Sequence, residues 1–243
     1  QSIFNLISIA YPQNSETKLY LKKLDVKKIQ TIGNIKYIEN HKTLNKKVDK
    51  DLSILFKKLK TCVAASTHST EEIFAGKAHL LLKKKYKNFI TIIIPRHVHR
   101  TSEISEQLKA LNLKVTYHSS KNKNLNGVDI YIVDTFGESK KFYKIATTVF
   151  LGGSLINHGG QNPIEPARFG AKILHGPNIG NFKEVYKHLK NLKISKKITT
   201  PIEFANSNVF KKNMQKVGKI NYQGKVILKK TIKELNKSIN NEL

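Results

Sequence analysis

A single cysteine, Cys62, stands in 243 residues, so the chain can form no internal disulfide and offers neither a CxxC redox pair nor a cysteine zinc framework. That scarcity points to a reducing compartment, with Cys62 a small core hydrophobe beside a strand. Arginine is almost as rare: Arg96, Arg100 and Arg168 are the only three among 44 basic residues, the rest being lysine. No apolar run approaches the roughly 20 residues that cross a bilayer, and the first residues do not resemble a signal peptide. Walker A, GxSxG and GxGxxG patterns are absent, which sets aside P-loop, serine-hydrolase and NAD-binding readings. Nine histidines invite a metal, above all His97 and His99, but two on one loop lack further assignable ligands, so no metal and no cofactor are expected.

Acidic residues number only 17, and the formal net charge is +27. Such a field attracts polyanions. The lysines are spread along the chain, without the interleaved aromatics of a single-strand binder, so an anionic membrane surface is favoured over nucleic acid as partner. A non-catalytic polyanion-binding protein remains an alternative.

What the sequence does contain is a repeated switch between short β-rich runs and amphipathic stretches. Strands are predicted at 3–10, 28–32, 61–65, 89–94, 114–117, 128–133, 148–151 and 172–174. Helices are predicted at 15–24, 70–85, 102–111, 138–145, 163–169 and 183–189. Capping patterns appear at Ser69 with Glu72, Thr135 with Glu138, and Thr200 with Pro201 and Glu203. Continuous apolar strands such as Ile92-Ile93-Ile94 imply burial on both faces. Their alternation with helices predicts an α/β fold with a doubly wound, Rossmann-like parallel sheet. Residues 1–40 are expected to close a preceding domain or form its last βαβ unit, 41–50 to connect, 51–200 to form the main α/β domain, and 201–243 to form lysine-rich C-terminal helices. Gln1 is not a methionine and a strand is predicted almost at once, so an upstream segment is expected.

Ligands of open α/β sheets bind beyond the carboxyl ends of the strands. Three post-strand loops carry chemistry there. Pro95-Arg96-His97 offers a planar, permanently charged fork suited to phosphate, or else a plain surface arginine. Phe136-Gly137-Glu138 leads into a helix start, where glycine allows close approach and Glu138 either caps the helix or touches ligand. Gly152-Gly153-Ser154 runs on to Asn162-Pro163-Ile164-Glu165-Pro166. Glu165 there is either a capping-box acid or a carboxylate able to hold both ribose hydroxyls.

These loops, with Ala64-Ala65-Ser66-Thr67-His68, Glu71-Glu72, Gly159-Gly160-Gln161, Gly176-Pro177 and Asn181-Phe182, occur in an order that resembles the C-terminal domain of the 3-deoxy-D-manno-octulosonic acid (Kdo) transferases, which are GT-B glycosyltransferases. The resemblance covers about residues 4–189. It implies a CMP-Kdo donor and a lipid A precursor as acceptor, in lipopolysaccharide synthesis at the cytoplasmic face of a bacterial inner membrane. CMP contacts are implied at Pro95 and Arg96, at Phe136, Gly137 and Glu138, and at Asn162, Pro163, Ile164 and Glu165. Phe136 and Gln161 stand where relatives carry Met and often His. The family's general-base Glu, acceptor site and membrane anchor belong to an N-terminal domain, so this chain alone is expected to bind donor weakly and to transfer nothing. A GT-B transferase using another nucleotide sugar is a further alternative.

Overall fold

The computed structural model describes residues 3–38, 50–121 and 124–240. It contains two compact units, Lys46–Val217 and Gln1–Asn45 with Gly218–Leu243.

The larger unit is built on seven parallel strands: β1 (Lys60–Thr67), β2 (Phe89–Pro95), β3 (Val115–Tyr117), β4 (Ile130–Ile132), β5 (Thr148–Leu151), β6 (Lys172–His175) and β7 (Ser195–Lys197), in the order β3-β4-β2-β1-β5-β6-β7. Its helices are α2 (Lys50–Phe56), α3 (Glu71–Lys85), α4 (Thr101–Lys109), α5 (Ser139–Ile145), α6 (Ile164–Arg168), α7 (Lys183–Asn191) and α8 (Pro201–Ser207). Helix α1 (Ser15–Lys23) belongs to the smaller unit, as does α9 (Met214–Asn240) from Gly218 onward.

Strand side chains alternate faces. Cys62, Ala64, Ile93, Ile130, Ile132, Phe150 and Leu174 pack with Ala75, Ala78 and Leu82 of α3, Ile104 and Leu108 of α4, and Phe204 of α8. On the alternate register Tyr131 meets Phe56 of α2 and Phe142 of α5, with ring centroids 5.2 and 6.1 Å away. Both faces are therefore covered, and β2 is buried along its whole length, as continuous apolar runs require. This is the expected doubly wound sheet. Cys62 is fully buried within β1 rather than beside it, and burial pushes its thiol up to about 11, which leaves it inert.

The strands expected at 3–10 and 28–32 are not strands. Ile3–Leu6 is a 3₁₀ turn, and one parallel bridge, Ala10 to Ile29, is all that joins the two segments. Ile3 and Leu6 are 73% and 79% exposed, so the apolar run has no layer to pack on and nothing rewards a ladder. Strand β7 and helix α2 were not anticipated. The connector expected at 41–50 lies, apart from Lys50 at the start of α2, outside the described residues.

Of the predicted caps, only Thr200 forms the reciprocal box: its hydroxyl accepts the Glu203 N–H, the Glu203 carboxylate accepts the Thr200 N–H, and Pro201 occupies the first turn. Ser69 caps nothing; α3 starts after Thr70, whose φ of 77° is left-handed. Thr135 likewise fails, because α5 begins after Glu138 with no side-chain cap.

Candidate functional site

The site follows from strand order. The chain runs from β1 to β2, out to β3 at the sheet edge and back to β4 between β3 and β2, then crosses to the other side of β1 as β5. Between β1 and β5 the connections diverge, and the crevice at their carboxyl ends is where such sheets bind ligands. Because all neighbouring pairs are parallel, the loops after β1, β2, β4 and β5 emerge at one edge.

The loop after β1 turns sharply: Ser66 and Thr70 have φ of 53° and 77°. Non-glycine residues held there store of order 1–3 kcal/mol each, which the surroundings must sustain. Glu71 supplies that support. Its fully buried carboxylate accepts the N–H groups of His68 at 3.0 Å, Gly153 at 2.7 Å, Ser154 at 3.1 Å and Leu155 at 2.9 Å. One side chain thus fixes the β5 loop against the β1 loop. The approach is close enough that a Cβ on Gly152 would stand 2.4 Å from the Ser66 carbonyl oxygen, so no larger residue fits. Glu72, also buried, pairs with Arg100 at 3.1 Å. Burial raises the Glu72 carboxyl above its ordinary value, and the Arg100 guanidinium opposes the shift.

Pro95 ends β2, and the Arg96 N–H donates to the Thr67 carbonyl at 2.9 Å, leaving the Arg96 side chain exposed at the crevice. Beyond β4, the Ser119 N–H and hydroxyl donate to Asp134, which anchors the loop. Phe136 then projects, 82% exposed, and Gly137 has φ of 80° with open space around it. Glu138 pairs with Lys141 at 2.7 Å instead of closing a box with Thr135.

The Asn162 carboxamide oxygen accepts the Ile164 N–H at 3.1 Å, but the residue that caps α6 is Pro163 and the helix starts at Ile164, so the expected Asn162 cap with Pro163 at the first helical position does not form. Helix α6 spans five residues, shorter than the predicted 163–169. Glu165 does not return to Asn162 as a capping-box acid would. Its Oε1 pairs with Lys140 of α5 at 3.0 Å, which links the β4 loop to the β5 loop. Burial raises the Tyr143 phenol, and the nearby Glu165 carboxylate adds to the shift.

Three sequence-derived groups therefore lie along one edge: Pro95 and Arg96; Phe136, Gly137 and Glu138; and Asn162, Pro163, Ile164 and Glu165. Sequence reasoning assigned no role to His68, Glu71 or His158. Their partners sit up to 90 positions away, and the positive φ values around His68 have no local sequence mark. Chemically the edge presents the Arg96 guanidinium, exposed backbone at Gly137 and the carboxylates of Glu138 and Glu165. Among the described residues no group of three or more His, Cys, Asp or Glu is placed to hold a metal.

No family model matches the chain. It is 33% identical over 164 residues to the 3-deoxy-D-manno-octulosonic acid transferase of Haemophilus influenzae, a match covering 67% of this chain and 38% of that protein. The enzyme of the same description from Rickettsia conorii is 32% identical over 165 residues, covering 68% and 35%. The chain thus spans well under half the length of these relatives. In fold it is similar to the C-terminal CMP-Kdo binding domain of WaaA from Acinetobacter baumannii, with a TM-score of 0.60 and 21% identity over 74% of this chain and 96% of that domain. By sequence the chain belongs to the 3-deoxy-D-manno-octulosonic acid transferase family, and its parallel α/β sheet is that of the C-terminal half of a GT-B glycosyltransferase.

Proposed function

We propose that this chain is the donor-binding half of an inverting, metal-independent glycosyltransferase that moves Kdo from CMP-Kdo to a lipid A precursor. The observation that carries this reading is the placement of Arg96, Gly137 and Glu165 on adjoining loops at the carboxyl edge of β2, β4 and β5 in a chain of this family.

Each group has a task. Pro95 and Arg96 meet the phosphate, where the guanidinium stabilises the charge that grows on CMP as the glycosidic bond breaks. Phe136, Gly137 and Glu138 border the nucleotide; the open backbone at Gly137 lets it approach. Asn162 to Glu165 hold the ribose, with Glu165 accepting from its hydroxyls while Lys140 keeps the carboxylate in place. The general base that deprotonates the acceptor must reach its hydroxyl, and this reading assigns it to the N-terminal domain of the whole protein. The reaction sits at the cytoplasmic face of an inner membrane, and the charge of +27 favours an anionic lipid surface. Among the described residues no helix is long and apolar enough to cross a membrane.

Calorimetric titration of CMP into variants tests the assignment. Arg96→Ala and Glu165→Ala are each expected to weaken CMP by about tenfold or more, the effect of losing a charge-assisted contact. CMP affinity unaltered by both substitutions would contradict the placement of the nucleotide.

A further inference from the structure

Three imidazoles from three loops meet beside Arg96. His68 follows β1, His97 follows β2 and His158 follows β5. The His68 ring centroid lies 4.4 Å from that of His158 and 5.8 Å from that of His97, which meets it edge-on. Gly153, with φ of 64°, makes the approach possible: a Cβ there would come within 2.9 Å of the His158 ring and 3.4 Å of the His68 ring.

Among the described residues none of these three rings forms an ion pair with a carboxylate, and no acid offsets the charges facing His68. The two neighbouring carboxylates are committed elsewhere, Glu71 to four backbone amides and Glu72 to Arg100. Burial lowers the His68 imidazole to about 4, and the groups that add most to that shift are His158, His97, Arg96 and Arg100, all cationic when charged. Even so, His68 Nε2 is buried without a hydrogen-bond partner among the described residues. A buried polar atom left unpaired is costly, and a set of donors that repel one another is relieved by an anion.

We propose that His68, His97 and His158 form a carboxylate subsite, which takes the acid group of the sugar while Arg96 takes the adjoining phosphate. This deepens the reading of the site as a CMP-Kdo site and rests on it. In a CMP-linked 2-keto sugar acid the carboxylate and the phosphate ester oxygen are bonded to the same carbon, so the two anions lie within a few ångströms of each other. A site for one must therefore adjoin a site for the other, as the imidazole cluster adjoins Arg96. A neutral nucleotide sugar has no group to place there, and the cluster becomes the element that selects acidic sugars.

The test is calorimetry on the intact chain with three ligands: CMP, freshly prepared CMP-Kdo, and CDP-glucose, which has no carboxylate. CMP-Kdo is expected to bind about tenfold more tightly than CMP, the effect of one added charge-assisted contact, while CDP-glucose shows no such gain. In His158→Ala, whose replaced ring is exposed, and separately in His97→Ala, CMP-Kdo is expected to fall to the affinity of CMP. If CMP binds but CMP-Kdo is no tighter, or if the variants weaken CMP and CMP-Kdo equally, the carboxylate subsite is refuted and the nucleotide reading stands. Failure of CMP itself to bind would overturn both.

Discussion

Glu71→Ala is expected to destabilise the sheet unit by about 3–5 kcal/mol, because it leaves several buried amides without an acceptor, each costing about 1–3 kcal/mol. The carboxylate is fully buried and takes N–H groups from two loops, one after β1 and one after β5, more than 80 positions apart in the chain. A neighbour cannot replace it, since Glu72 is paired with Arg100. Glu71→Gln keeps the shape but turns an NH₂ toward two of the donors, and is expected to lose about half as much. Urea unfolding of the three proteins, followed by circular dichroism, measures this. A Glu71→Ala midpoint indistinguishable from that of the parent would show that the loops hold together without the carboxylate. The same tie shapes the proposed site: with it gone, Gly153 and Ser154 are no longer held against His68, and the proposed CMP-Kdo binding is expected to fall with stability.

Acidification is expected to remove stability between pH 6.5 and 4, about 3 kcal/mol of it through the fully buried His79, with the lowered His68, His175 and His188 adding to the loss. The His79 ring is fully buried on α3 and joins Thr91 of β2 at 3.0 Å to Asp129 at 3.3 Å. Burial lowers it from 6.5 to about 4, against the pull of the Asp129 carboxylate. Between those values the unfolded chain binds the proton and the folded chain does not, so stability is complete above about 6.5 and declines as pH falls toward 4. Asp129 extends the loss. Burial acts to raise its carboxyl, but the Lys114 N–H, Lys83 and His79 hold it below its ordinary 3.8, so its contribution is present above that value and is lost on further acidification. Urea midpoints at pH 7.5 and 4.5 should differ clearly, and less so in His79→Gln. Equal midpoints in the parent would contradict a neutral buried ring.

How much of this could be read from the sequence depended on where each interaction lay. Strands β1, β2, β5 and β6 were legible because their apolar runs are continuous and are covered by helices on both faces. β7 was missed: Ser195 is buried, but Lys196 and Lys197 are exposed at the sheet edge, and its ladder comes from β6. The opposite error arose at Ile3 and Leu6, where β-branched and apolar residues read as a strand but stay in solvent. Capping patterns were reliable where every partner is local, as at Thr200 and Glu203. They failed at Ser69 because α3 starts only after the left-handed Thr70 and Glu72 pairs with Arg100, and at Thr135 because α5 starts only after Glu138, which pairs with Lys141. The post-strand loops holding Arg96, Glu138 and Glu165 were visible as segments. The link from Glu165 to Lys140 and the meeting of His68 with His158 were not, because only the strand order brings those loops together.

The most direct test of the account is titration of the purified chain with CMP, UMP and ADP at two salt concentrations, with a Kdo-transfer assay on the same sample. The account predicts saturable binding that favours CMP and changes little with salt, and no transfer to a lipid A precursor by this chain alone. Binding that ignores the base and collapses steeply with salt would mark a polyanion-binding protein instead. Transfer by the chain by itself would place the general base within these residues and contradict the assignment of donor and base to separate domains.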